Sequence, residues 1–315
     1  MKFEPIGTNS VTKRARSSES RRRKKSRALF VGLYLSPALL CYIVLVIWPL
    51  IQAFQFSLYR WSGLSNRATY IGLQNFQKLI HDHHFGNAFR HNLWILVIGG
   101  SCIVALSLMV AHLLAGTRHL NRLLRGVILF PQMMSLTVVA ILWLFIYNFQ
   151  SGLLNGSLKL LHLKGLRHTW LANPHYALAA VTVAFAWYAV GFYAMIFSAG
   201  ISGIPAEVFE AANLDGATGW RKFRFVTWDN LWSVKRIVGV HLTITVLNVF
   251  SLVYLMEGQG DRKTDVLLTY MYENAFQDSR LGYATAIAVA NFIAAMIFSF
   301  AILKIVGRDP TEARA

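Results

Sequence analysis

The stretch NLWILVIGGSCIVALSLMVAHLLAGT, Asn92 to Thr117, runs 26 residues without an acidic, lysine or arginine side chain. About 20 apolar residues suffice for a helix to cross the hydrocarbon core of a bilayer, so this segment reads as a membrane span. Five further runs share its character: Ala28 to Tyr59, Gly126 to Leu158, His168 to Ala206, Ile237 to Met256 and Leu281 to Leu303. A transmembrane barrel would instead alternate apolar and polar residues over segments of about ten. The continuous runs therefore predict an all-α, polytopic membrane protein with six spanning helices. Composition agrees, with 55% hydrophobic and 14% charged residues in a chain of 315.

Lysine and arginine number 31 against 14 acids, a formal charge of +17, which invites nucleic acid as a partner. The distribution excludes that reading. With the N-terminus in the cytoplasm, six crossings return the C-terminus to the same side, and 21 of the basic residues lie inside against ten outside. This is the positive-inside bias of a membrane protein. The densest cluster, Arg21 to Lys25, precedes the first span and reads as a topology determinant in contact with anionic lipid. Residues 1–27 form a polar, basic tail expected to be disordered, and residues 28–315 the six-helix membrane domain.

The expected helices are about Ala28 to Leu50, Leu93 to Ala115, Val127 to Phe149, Tyr176 to Ala199, Ile237 to Met256, and Leu281 to near Val306. Pro37 and Pro49 suggest a kink in the first. The short loop GTRHLNRLLRG predicts that the second and third pack as an antiparallel hairpin. Cys41 and Cys102 read as small buried hydrophobes. Neither a disulfide framework nor a metal site is expected, since the HDHH run at His81 to His84 has no second ligand group at a recognisable spacing. Phosphate-binding loop, nucleophile elbow and paired catalytic carboxylates are all missing, so no catalytic residue is assigned and the chain is not expected to be an enzyme.

The longest inside loop, 200–236, contains EVFEAANLDGATGW, Glu207 to Trp220. Pro205 just ahead of the first turn, with Glu207 and Glu210 near the positive end of the helix dipole, predicts a short helix over Ala206 to Leu214. Asp215-Gly216 is a turn signal, and Trp220 to Trp228 reads as a second short helix with Phe223 on its apolar face. An amphipathic connector lying on the membrane would explain the charges. Ala211, Ala212 and Gly216 favour a different use, because a stripe without bulk anchors poorly in lipid and enters a protein groove well.

The order Glu210-Ala211-Ala212, three residues, Gly216, nine residues, Val226 resembles the EAA loop of permease subunits of binding-protein-dependent ABC importers. The resemblance to the maltose-type sugar permeases extends along RLLRGVILFPQMMSLTVVAILWLFIY, GLLNGSLKLL, TWLANPHYALAAV, IPAEVFEAANLDGA and TYMYENAFQDSRLGYATAIAVA. It implies a type I ABC importer permease fold in the bacterial inner membrane, with a cytoplasmic coupling helix. Glu207, Glu210, Ala211, Ala212, Asp215 and Gly216 would then form the joint with an ATPase, Glu210 meeting one of its basic residues. The implied partners are a second permease subunit in a heterodimer, two ATPase subunits that bind ATP and magnesium, and a periplasmic solute-binding protein. No cofactor is implied in this chain. Two departures stand out: Trp228-Asp229 where the family commonly has Leu-Pro, and EGQGD, Glu257 to Asp261, where T-G-G-G-P is frequent.

Polar and aromatic residues at membrane depth are costly unless they line a cavity or pair together. On that ground Tyr188, Phe192, Tyr193, Thr245 and Asn248 are the candidate substrate path, with Trp187 and Thr243 close by. Gapless alignment to the maltose-permease pattern puts Tyr188, Ala189, Phe192, Leu242, Thr245, Val246 and Val249 at its sugar-contacting positions. Several are not the polar types found there, which leaves open a different sugar or a site supplied mainly by the partner permease. His112 and His241 read as satisfied interface residues. The ten basic residues outside, against six acids, suit an anionic substrate such as the uronate oligosaccharides of alginate importers, and suit an acidic binding protein equally. A secondary transporter would want intramembrane carboxylates, which these spans lack, and a membrane scaffold would not need the helix-glycine-helix of the inside loop.

Overall fold

The computed structural model describes residues 32–64, 67–114, 120–257 and 264–306, with side chains in the third segment from residue 124 onward. The basic tail, much of the GTRHLN loop and the EGQGD stretch beyond Glu257 lie outside it. Among the described residues four helices are long and apolar enough to cross a membrane, or six if each of two bent pairs counts as one span.

The first span, α1, is Gly32–Phe56. Pro37 and Pro49 both sit within it, and the wide turn Ile43–Ile47 ends two residues before Pro49. A π turn shifts the hydrogen-bond register, which accommodates a residue that has no N–H to donate. This segment belongs to a unit of its own, and the remaining elements form a second unit from Phe56 onward.

In that second unit a two-residue ribbon, β1 (Tyr59–Arg60) with β2 (Thr69–Tyr70), precedes α2 (Gln74–Ile80) and α3 (His83–Leu114). Then follow α4 (Leu120–Met133), α5 (Leu136–Tyr147), α6 (Leu153–Leu160) and the 29-residue α7 (Pro174–Ser202). The 200–236 region supplies α8 (Ala206–Leu214) and α9 (residues 219–230). The chain ends through α10 (Trp232–Leu247), α11 (Ser251–Glu257), α12 (Leu267–Tyr272, running on into a wide turn to Gln277) and α13 (Leu281–Ile305).

Several expectations need correction. The third span is not one helix: α4 and α5 meet at 101°. Pro131 lies near the end of α4, and Ser135 accepts a hydrogen bond from the Val138 N–H as the N-cap of α5. Two stops within five residues of an otherwise apolar run are invisible to hydropathy but decisive for the backbone. As a result the expected hairpin gives way to a different packing, in which α3 and α4 each lie chiefly against α7, while α5 packs on α11. Finally, Cys41 and Cys102 are exposed, because an all-round apolar helix does not reveal which side faces its own core.

Glycine permits one close helix crossing. A Cβ on Gly191 of α7 would stand 2.0 Å from the Ile128 carbonyl oxygen of α4, a distance no side chain permits. The core gathers around this crossing, with Ile103 and Leu108 of α3, Phe185 and Phe197 of α7, Val139 of α5 and Leu252 of α11.

The fifth helix expected over Ile237 to Met256 is likewise broken: α10 and α11 form a second bent pair that turns by 42° around Asn248. Ending α10 there leaves carbonyls without intrahelical partners, and in an apolar surround each must be paired. The fully buried Asn92 of α3 donates its amide to the Val246 carbonyl at 3.0 Å, and Asn291 of α13 donates to the Leu247 carbonyl at 3.2 Å. Asn92 also accepts from the Leu267 N–H at 2.8 Å, so one side chain ties α3 to both the bend and the start of α12.

Candidate functional site

α8 spans Ala206–Leu214, the residues expected from sequence, with Pro205 as its N-cap and Glu207 in its first turn. Its C-terminus is closed by a paired hydrogen-bond cap: Ala217 N–H to the Ala212 carbonyl at 2.8 Å and Gly216 N–H to the Asn213 carbonyl at 3.1 Å. This Schellman geometry needs a left-handed residue at Gly216, whose φ is +73°. Gly216 is thus required by conformation, since nothing in the chain lies within 4 Å of where its Cβ would be.

Glu207, Glu210, Ala211, Asp215 and Gly216 are exposed, whereas Ala212 is buried against its own loop. Lys222 of α9 holds α8 in place, donating to Asn213 Oδ1 at 3.0 Å with its ammonium 5.2 Å from the Phe209 ring centre. The loop also exposes large apolar side chains, Leu214 at 90% and Trp220 at 73%. The Trp228-Asp229 departure lets α9 continue to Asn230: Trp228 packs on the core beneath the Lys235 ammonium, and Asp229 pairs with Arg224 at 3.3 Å. Leu231 alone then joins α9 to α10.

The residues proposed for the substrate path divide. Phe192, Tyr193 and Thr245 come together around His241, with the Tyr193 hydroxyl 3.0 Å from His241 Nδ1, Thr245 Oγ1 3.4 Å from the same nitrogen, and the Phe192 ring 5.2 Å away. Tyr193 itself is buried, so its hydroxyl serves His241. Tyr188 lies half-buried one turn before Phe192, and Asn248 is exposed at the bend, its amide on the Ile244 carbonyl. Leu242, Val246 and Val249 are core residues, as is Ala189, so the gapless alignment places four positions inside the protein. The exposed face of α10 carries His241, Ile244 and Asn248, with Thr245 half-exposed between them. His241 was missed as a member of this face, although its spacing of four and seven from Thr245 and Asn248 is visible in the sequence.

The HDHH run resolves into helix capping. Asp82 is the N-cap of α3, accepting from the His84 N–H at 2.9 Å, and its other oxygen accepts from the hydroxyls of Tyr270 at 2.5 Å and Tyr283 at 2.6 Å. Burial alone would raise its pKa, but these bonds with the Phe85 N–H hold the carboxyl below the ordinary range, while burial and the Asp82 contact push Tyr270 up to about 12. Among the described residues no group of three or more His, Cys, Asp or Glu converges as a metal site.

Among the described residues, apolar spans, two of them bent pairs, and a capped helix in the loop between two of them mark a polytopic membrane protein. Residues 103–310 match the model of the binding-protein-dependent transport system inner membrane component, and the chain belongs to that family. It is 35% identical, over 86% of its own length and 94% of the relative's, to a probable ABC transporter permease, YurN, of Bacillus subtilis. It is 31% identical over 95% of its length, and 90% of the relative's, to the diacetylchitobiose uptake permease NgcF of Streptomyces coelicolor. A solved bacterial ABC transporter importing the acidic polysaccharide alginate has the same fold, with a TM-score of 0.77 over 91% of this chain and 98% of that one at 19% identity.

Proposed function

We propose that this permease carries a saccharide, handed over outside the membrane by a soluble binding protein, through a path shared with a second permease subunit. Both termini are then cytoplasmic. Two ATPase subunits, holding ATP and magnesium, dock on α8 and drive the change between outward and inward access. The observation that carries the docking is the exposure of Leu214 beside Glu207 and Glu210 on α8, whose C-terminus is capped and tied to Lys222, with Trp220 exposed at the start of α9. Large apolar side chains at a polar extramembrane tip mark a contact surface, and only a partner that binds the two states of the permease unequally can shift it between them.

Relatives support a sugar as cargo: one is named for diacetylchitobiose, another, from Rhizobium meliloti, for α-glucosides. The alginate transporter has also been solved with a periplasmic protein carrying an alginate pentasaccharide, and the outside excess of basic residues favours testing acidic sugars beside neutral ones. The test is sugar-dependent ATP turnover by the complex purified with its ATPase, second permease and binding protein. Glu210→Lys and Gly216→Trp should insert normally and abolish the sugar-stimulated component. Full coupled turnover by both variants would sink the coupling assignment.

A further inference from the structure

We propose that His241, oriented by Tyr193, is a specificity-determining residue of the permeation path, taking an oxygen of the passing saccharide on its outer ring nitrogen, Nε2. The inference rests on the saccharide-import reading above and goes beyond it by naming the group that discriminates among cargoes.

Within α10 the burial pattern separates two faces. Leu242, Thr243, Val246 and Leu247 are buried, while His241, Ile244 and Asn248 are exposed. A histidine at membrane depth on the exposed side is costly unless it has work there. Its inner nitrogen is already engaged, because the Tyr193 hydroxyl lies 3.0 Å from Nδ1 and Tyr193 is only 1% exposed. The hydroxyl of Thr245 donates to the His241 carbonyl at 2.8 Å, leaving its oxygen to accept beside the same Nδ1. The ring is therefore held by a buried phenol on one side and lies beside Phe192, centroids 5.2 Å apart, on the other. Fixing Nδ1 in this way fixes where Nε2 points, as the partner of one imidazole nitrogen sets the role of the other.

The chemistry suits a sugar. A neutral imidazole is a donor at one nitrogen and an acceptor at the other, and a saccharide hydroxyl can meet either. Phe192 at the edge of the same group offers an apolar face for the C–H side of a pyranose, and Thr245 a second oxygen. A ring positioned through its own backbone-anchored neighbour pays little entropy on binding, which favours discrimination over simple stickiness.

The competing explanation is that His241 exists only to satisfy the buried Tyr193 hydroxyl. Two substitutions separate the cases. His241→Asn retains an amide near the position of Nδ1 and loses the outer nitrogen; His241→Gln retains an amide near the position of Nε2 and loses the inner contact. Each complex is reconstituted in liposomes at saturating binding protein, and uptake is measured for diacetylchitobiose, an α-glucoside and an alginate pentasaccharide. Loss of one neutral hydrogen bond corresponds to about a threefold to tenfold change. His241→Asn should alter the uptake ratio among the probes by that amount, with His241→Gln, which keeps the outer group and loses only its orientation by Tyr193, altering it less. Equal loss for all probes, or retention by Asn and failure by Gln, overturns the proposal and assigns the ring a structural role. A wild-type complex that hydrolyses ATP with none of the probes overturns the saccharide reading, and this inference with it.

Discussion

Asp82 and Tyr283 are 201 positions apart and 2.6 Å from each other, joining the start of α3 to the start of α13. The folded-state pKa of Asp82 is depressed, so its contribution is complete above the unfolded value of about 3.9 and is lost as pH falls through the folded one. Asp82→Ala should destabilise the protein by about 2 kcal/mol at neutral pH, on the scale of hydrogen bonds to a charged group that is partly exposed. Thermal melting of the detergent-purified protein measures this. The gap between wild type and Asp82→Asn should close as pH drops below about 4, and a gap constant through the acid range would contradict the assignment.

Gly216 tests backbone against space. Its φ of +73° strains a β-branched residue, whereas asparagine visits that region at low cost. Gly216→Val should unwind the end of α8 and remove sugar-stimulated ATP turnover, while Gly216→Asn keeps most of it. Equal activity of the two would show that the left-handed cap is dispensable.

Gly191→Leu should cost about 3 kcal/mol or prevent folding, because the new side chain meets the Ile128 backbone of α4. Gly126→Ala, within α4 itself and with nothing in 4 Å, should be neutral or stabilising by up to about 1 kcal/mol. Melting temperatures of the two variants decide the point.

Trp228 and Asp229 occupy a position of family departure and should behave differently. Trp228→Ala loses core packing and the Lys235 contact, for about 2 kcal/mol. Asp229→Ala removes a pair whose side chains are 48% and 51% exposed, worth about 0.5 kcal/mol or less. A chemical-denaturation series on both, with Arg224→Ala as the partner control, orders the effects.

The loop helix was legible to the residue because its signals are local: Pro205 at the start, Gly216 at the end, and acids in the first turns. The spans were legible as apolar length. Their faces were not, since a helix apolar all round carries no stripe to read: gapless alignment puts Leu242, Val246 and Val249 at the maltose-permease pattern's sugar-contacting positions, yet they fill the core. The break at Ser135 escaped for the same reason, with Pro131 and Ser135 marking it inside an unbroken greasy run. His241 could have been found by pairing the four-and-seven spacing on α10 with Tyr193, but their partnership spans 48 positions and exists only after packing.

The neck of the 200–236 loop has a mechanical meaning. Leu231 is fully buried, and a Cβ on Gly200 would stand 2.8 Å from its side chain and 2.6 Å from that of Val234. The last turn of α7 and the first turn of α10 are thus clamped together at the base of the loop. On the coupling reading, a displacement imposed on Ala206–Leu214 would meet that clamp and reach both helices together. The loop would then act as a short lever on that fulcrum, its arm the two helices that carry Tyr193 and His241.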